Sequence, residues 1–157
     1  MQNVESVYLL TAMQRSILLR VLKRAEAGAY VEQVSWTLEG DFDAAAFQRA
    51  WRQVSERHPV LRTSVFWEGL DEPLQVVRGS AALPLEEHDW RTVAEGEREE
   101  RLERFLAEDR ERGFDLAAPP LVRLARLRLP GGASAFVWSH HHLVLDGWSA
   151  ALCLREL

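Results

Sequence analysis

The sequence predicts an α/β domain in which strands and helices stack in layers, and three patterns carry that expectation. Apolar residues recur at helical spacing over 12–26, 43–58 and 92–112. They alternate along 30–40, 61–67 and 74–77 as strands with one buried face would. Two long apolar runs, 121–129 and 133–142, flank Pro130-Gly-Gly132 as a pair of strands joined by a tight turn. In chain order the pattern is α-β-α-β-β-α-β-β-α, a mixed α/β layer arrangement without internal repeat, low-complexity tract or linker.

Each element has a local cause. Thr11 and Gln14 stand three apart in the form of a capping box, and Met13, Ile17, Leu18, Val21 and Leu22 follow on one helical face. Tyr30, Val34, Trp36 and Leu38 alternate towards Gly40. Asp43 is placed to cap a second helix that buries Phe47, Ala50, Trp51 and Val54 and is ended by Pro59. Leu61, Thr63, Val65 and Trp67 form a strand, followed by a turn near Gly69 and a short strand at Leu74–Val77. From Thr92 to Arg112 the pairs Glu97–Arg101, Glu100–Arg104 and Glu108–Arg112 lie four residues apart. That run reads as the solvated face of a helix whose narrow buried stripe is Leu102, Phe105 and Leu106, with Gly113 as its C-terminal cap.

Composition excludes several functions. The chain has 157 residues, 47% of them apolar, and a net charge of -5 with no basic tract, so neither nucleic acid nor an anionic membrane is an expected partner. The N-terminus has no charged segment followed by an apolar one, and no apolar run reaches membrane-spanning length. Cys153 is the single cysteine. It forms no internal disulfide, reads as a small core residue and agrees with a reducing, cytoplasmic location.

The chemistry-bearing stretch is Ser139-His-His-His142-Leu-Val-Leu-Asp146-Gly147-Trp148. On a strand His142 shares a face with His140, Trp138 and Phe136, and His141 points the other way with Val137. His142 lies where the strand gives way to a loop and a helix start, a suitable place for proton transfer because imidazole titrates near neutrality. From the residues alone three readings stay open: a histidine cluster without chemistry, a metal site through His140, His142 and Asp146, and general-base catalysis by His142.

Residues His141-His142-Leu-Val-Leu-Asp146-Gly147-Trp148-Ser149 resemble the HHxxxDG signature of the condensation domains of nonribosomal peptide synthetases, members of the chloramphenicol-acetyltransferase-like acyltransferases. Tyr8-Leu-Leu-Thr-Ala-Met-Gln14 resembles that family's opening YPLTPMQ, with Leu9 and Ala12 in place of its prolines. Arg57-His58-Pro-Val-Leu61-Arg62-Thr63 resembles RHxxLRT, and Gly113-Phe-Asp-Leu116 with Pro120-Leu-Val-Arg123 resembles FDL…PLxR. The resemblance implies a two-layer sandwich of the chloramphenicol-acetyltransferase type, a mixed sheet with helices packed on one side, and residues 1–157 as the N-terminal lobe of a two-lobe domain whose C-terminal lobe is missing.

It further implies an acyltransferase that forms an amide bond between an acyl or peptidyl donor and an aminoacyl acceptor, both thioesters on the phosphopantetheine arms of upstream and downstream carrier domains. No cofactor or metal is expected to bind the chain itself. His142 is implied as the catalytic residue. Asp146 is expected to be a buried structural acid paired with Arg62, and Gly147 to admit close approach of the thioester or its arm. His141 is expected to pack, Thr11 and Gln14 to do no more than cap, and Trp138 and Trp148 to form apolar wall or core. Two other readings share the motif: a noncatalytic carrier-docking lobe, and an epimerisation or ester-forming relative. The isolated lobe is expected to be inactive and to self-associate through its uncovered face.

Overall fold

The computed structural model describes residues 3–24 and 28–157. Among these residues seven strands and four α-helices follow in the order β1 (Val4–Leu9), α1 (Ala12–Arg24), β2 (Val31–Leu38), α2 (Ala44–Arg57), β3 (Thr63–Phe66), β4 (Leu74–Arg78), β5 (Leu85–Asp89), α3 (Arg98–Arg112), β6 (Val122–Arg128), β7 (Ser134–His141) and α4 (Gly147–Glu156). The strands make two sheets. One is three-stranded, ordered β1-β4-β3, and the other four-stranded, ordered β2-β7-β6-β5. All these pairings are antiparallel except β5 with β6, which α3 joins as a crossover.

The α/β sandwich expected from the sequence forms, with local causes as anticipated. The Thr11 hydroxyl accepts from the Gln14 amide at 3.2 Å while the Gln14 side chain accepts from the Thr11 amide at 2.9 Å, a reciprocal cap on α1. Asp43 accepts from the Ala46 amide at 2.9 Å at the start of α2. At the tip between β6 and β7, Gly131 and Gly132 take φ of 74° and 88°, which side chains would strain. The last two residues expected in the first helix lie outside the described residues.

Two strands escaped the sequence pattern. β1 is exposed along nearly its whole length, and β5, Leu-Glu-Glu-His-Asp, is polar; each is an edge strand, so neither needs the alternation that betrays an interior one. The stretch Pro59–Arg62 is a turn of 3₁₀-helix and not the beginning of β3.

A refinement concerns the helices. The four-stranded sheet is covered on both faces. Val122, Leu124, Phe136 and Trp138 turn to one side and pack with Ile17 and Leu18 of α1, Trp51 and Val54 of α2, and Ala150 and Cys153 of α4. Ala125, Leu127 and Val137 turn to the other and meet Leu102, Phe105 and Leu106 of α3. The α3 charge run is a solvated face with one exception: Asp109 is buried. Its carboxylate accepts from Arg123 Nε at 2.7 Å, Gln33 Nε2 at 2.8 Å and Ser139 Oγ at 2.5 Å. Burial alone would raise the Asp109 carboxyl, but the bonds from Arg123, Ser139 and Gln33 outweigh it and hold it at about 2.

Candidate active site at the end of β7

The three histidines share one strand end and have three environments. β7 lies between β2 and β6, and helices pack on both faces of the sheet, so its side chains are largely buried until the strand stops; His142 is the first residue beyond it. There the chain turns at once. The Val144 amide donates to the His141 carbonyl at 3.1 Å, and Leu143, Val144 and Leu145 are buried beneath the turn. This packing fixes the backbone from which His142 projects.

His141 is 1% exposed and lies on the α3 side of the sheet, edge-on to Phe114. Burial, helped by the two neighbouring imidazoles, brings it down to about 4, so the ring is neutral near pH 7 and its Nδ1 accepts from the Leu143 amide at 3.1 Å. It holds the turn. His140 is equally buried on the opposite side, across from Glu32 in the β2–β7 register. Burial pushes its imidazole down against the pull of the Glu32 carboxylate. Among the described residues neither His140 nitrogen has a hydrogen-bond partner, although Nε2 lies 3.3 Å from Glu32 Oε2.

His142 differs from both, with a side chain 33% exposed. Its amide donates to the Tyr30 carbonyl at 2.9 Å, and the Tyr30 ring lies nearly parallel to the imidazole at 6.4 Å. Tyr30 adopts φ of 65°, a left-handed conformation rare for an aromatic residue, and this turn sets its ring beside His142. The buried nitrogen of His142 is Nδ1, 3.0 Å from Glu32 Oε1 but off the line of a hydrogen bond. Nε2 is the nitrogen left to meet a reactant.

The turn is also held from the first helix. Gln14 Nε2 donates to the Leu143 carbonyl at 3.1 Å and to Gln75 Oε1 at 3.3 Å, so Gln14 does more than cap α1. Tyr30 and Glu32 thus stand beside His142 without any motif having pointed to them, and Gln14, which the opening motif supplied only as a cap, also holds the turn.

Asp146 and Arg62 do not pair. Asp146 is exposed and caps α4, accepting from the Ser149 amide at 2.7 Å, a bond that lowers its carboxyl below the usual range. Arg62 is buried, and its guanidinium donates to the Ser55 carbonyl at 2.7 Å, to Glu5 Oε2 at 2.6 Å and to the Arg78 carbonyl. The physical reason is that each found a nearer partner: an unsatisfied helix start for the acid, and carbonyls with the β1 carboxylate for the base. Gly147 opens α4 without a positive φ, and a Cβ built on it would meet nothing within 4 Å. Its smallness therefore answers to no contact among the described residues of this chain.

Trp138 is core, but Trp148 is 78% exposed and does not form a buried wall. His58 ends α2 and lies 3.0 Å from Glu156 of α4, while His88 stacks edge-on to Phe105. Among the described residues no three histidine, cysteine or acidic side chains converge to hold a metal, so the set His140, His142 and Asp146 does not assemble. An apolar cavity of about 700 Å³ between β2, α2 and α4, lined by Trp36, Phe42, Phe47 and Phe136, lacks any histidine.

Comparison with known proteins agrees with this fold. The family model described as the condensation domain matches residues 4–157. A linear gramicidin synthase of Brevibacillus parabrevis is 43% identical over 153 residues, 98% of this chain and 3% of that protein. Bacitracin synthase 3 of Bacillus licheniformis is 36% identical over 155 residues, 99% of this chain and 2% of that protein. Among solved structures, a four-domain nonribosomal peptide synthetase bound to AMP and glycine superposes with a TM-score of 0.85 at 21% identity, over 98% of this chain and 11% of that one. The first condensation domain of the calcium-dependent antibiotic synthetase gives 0.81 at 22% identity, over 97% of this chain and 36% of that one. The chain thus spans a small fraction of these relatives.

Proposed function

The chain belongs to the condensation-domain family, and from that premise we propose that residues 1–157 are the histidine-bearing N-terminal lobe of an acyltransferase domain that joins two carrier-tethered substrates by an amide bond in nonribosomal peptide synthesis. The supporting observation is the partly exposed His142 imidazole at the end of β7, its Nδ1 buried and its Nε2 without a hydrogen bond among the described residues.

In this reading the acceptor amine attacks the carbonyl of the donor thioester. A C–N bond forms, the C–S bond breaks, and the proton shed by the nitrogen passes through His142 Nε2 to the departing thiolate. Because the amine is a nucleophile once unprotonated, holding it in line contributes at least as much as removing its proton. Gly147, with open space where a Cβ would stand, leaves room for the donor thioester or its phosphopantetheine arm. Carrier domains on both sides deliver the arms, and the second lobe closes over the exposed Tyr8, Met13 and Trp148. No described helix is long and apolar enough to cross a membrane, and with a single cysteine we place the synthetase in the cytoplasm.

The test is His142→Ala in the whole synthetase, with donor and acceptor carriers loaded and product followed by mass spectrometry. Loss of peptide with unchanged melting supports the reading. Turnover near that of the parent overturns it and leaves a docking lobe, and an epimerised or ester product assigns the motif to the related chemistries.

A further inference from the structure

We propose that Glu32 is a positioning residue for His142: its carboxylate accepts a hydrogen bond from the Nδ1–H of the imidazole, so that Nε2, unprotonated and correctly turned, faces the acceptor amine. This rests on His142 being the reacting base. Glu32 stands on β2 directly opposite His140, and from there its two oxygens reach both imidazoles of that face, Oε1 3.0 Å from His142 Nδ1 and Oε2 3.3 Å from His140 Nε2. The carboxylate is half-exposed whereas the His142 Nδ1 is buried, with no hydrogen-bond partner among the described residues. A buried ring nitrogen at that distance from an acid has a ready acceptor, and a neutral imidazole has one proton to place. If it goes to Nδ1, Nε2 keeps the lone pair; which nitrogen is protonated is set by the bond the other one makes.

In the proposal the pair aligns through the Glu32 carboxylate, whose terminal torsion has broad, shallow wells. Such hydrogen bonds are often misaligned before substrate arrives and tighten when it does. His140 does not compete for the negative charge, because burial keeps it neutral. It serves as a rigid neighbour that, with Tyr30 stacked on the imidazole and holding its amide, confines the carboxylate and ring to one corner of the strand end. Asp146 makes no hydrogen bond or ion pair with His142 among the described residues, and its Oδ1 accepts from the Ser149 amide.

The experiment is a double-mutant cycle in the full synthetase with loaded carriers, reading single-turnover peptide formation, KM for each carrier and melting temperature. Glu32→Gln is expected to lower kcat about 10- to 100-fold, the usual loss when the group that orients a functional histidine is removed, with both KM values and the melting temperature unchanged. Glu32→Asp is expected to restore part of that loss. In a His142→Ala background Glu32→Gln should cost nothing further, because its effect runs through the imidazole. Parent-like kcat for Glu32→Gln, or a loss that adds fully to that of His142→Ala, overturns the positioning part. If His142→Ala itself retains turnover, the catalytic assignment fails instead, so the two failures are distinguishable.

Discussion

The two faces of the four-stranded sheet both carry polar groups and treat them in opposite ways. On the α3 face, Asp109, Arg123, Gln33 and Ser139 form a closed set in which each member's polar group bonds to another. On the other face, Glu32, His140 and His142 approach within ion-pair distance. Yet both His140 nitrogens, the His142 Nδ1 and the Trp138 indole nitrogen have no hydrogen bond among the described residues. Closure is what a structural network needs, because an unpaired buried polar group costs about 1–3 kcal/mol. Leaving one open is tolerated where a bond is reserved for chemistry. In the reading proposed above, the contrast sets residues that hold the fold against Glu32 and His142, which serve the reaction.

The largest expected effects would swap these signatures. His142→Ala should lower turnover about 10²- to 10⁴-fold, the typical worth of a general base, without moving the unfolding midpoint. Asp109→Asn should do the reverse. It leaves Arg123 buried without its counter-charge, an expected loss of about 3–5 kcal/mol, visible in denaturant titration. Activity should then fall only in step with the folded fraction. Equal activity losses per folded molecule in both variants would dissolve the distinction.

A further comparison sets Arg62 against Asp146. Removing the buried Arg62 guanidinium frees the Ser55, Glu56 and Arg78 carbonyls and the Glu5 carboxylate at once, so Arg62→Ala should cost about 2–4 kcal/mol in the same titration. Asp146→Ala removes only an exposed cap and should shift the midpoint much less. Acid should reach the closed face through Asp109. The Asp109 carboxyl is held at about 2 in the fold, below its unfolded value of about 4. Its contribution is therefore complete above pH ~4 and is lost as pH falls towards ~2. Asp109→Asn should flatten that part of the stability profile.

Much of this could be read from the chain because the relevant physics is local. The reciprocal cap of Thr11 and Gln14, the Asp43 cap, the glycine turn at 131–132 and the opposite faces of His141 and His142 each depend on a few neighbouring residues. What was not legible depends on register between distant strands. Glu32 meets His140 only because β2 and β7, far apart in the chain, align in one register. The Asp109 network likewise needs α3 seated on β2, β6 and β7. Asp146 departs from expectation because a cap bond to a residue three positions on outcompetes a remote arginine.

The bond from Gln14 to the Leu143 carbonyl spans 129 positions of sequence. It makes the histidine turn and the first helix a single heritable part. Anyone recombining related chains by cutting between α1 and β7 and grafting the later portion onto a foreign leading segment that departs from the opening Tyr8–Gln14 motif would inherit the histidine motif without its clasp. The graft would keep every residue of the signature and still present His142 from a looser turn, unless position 14 of the new leader were also glutamine.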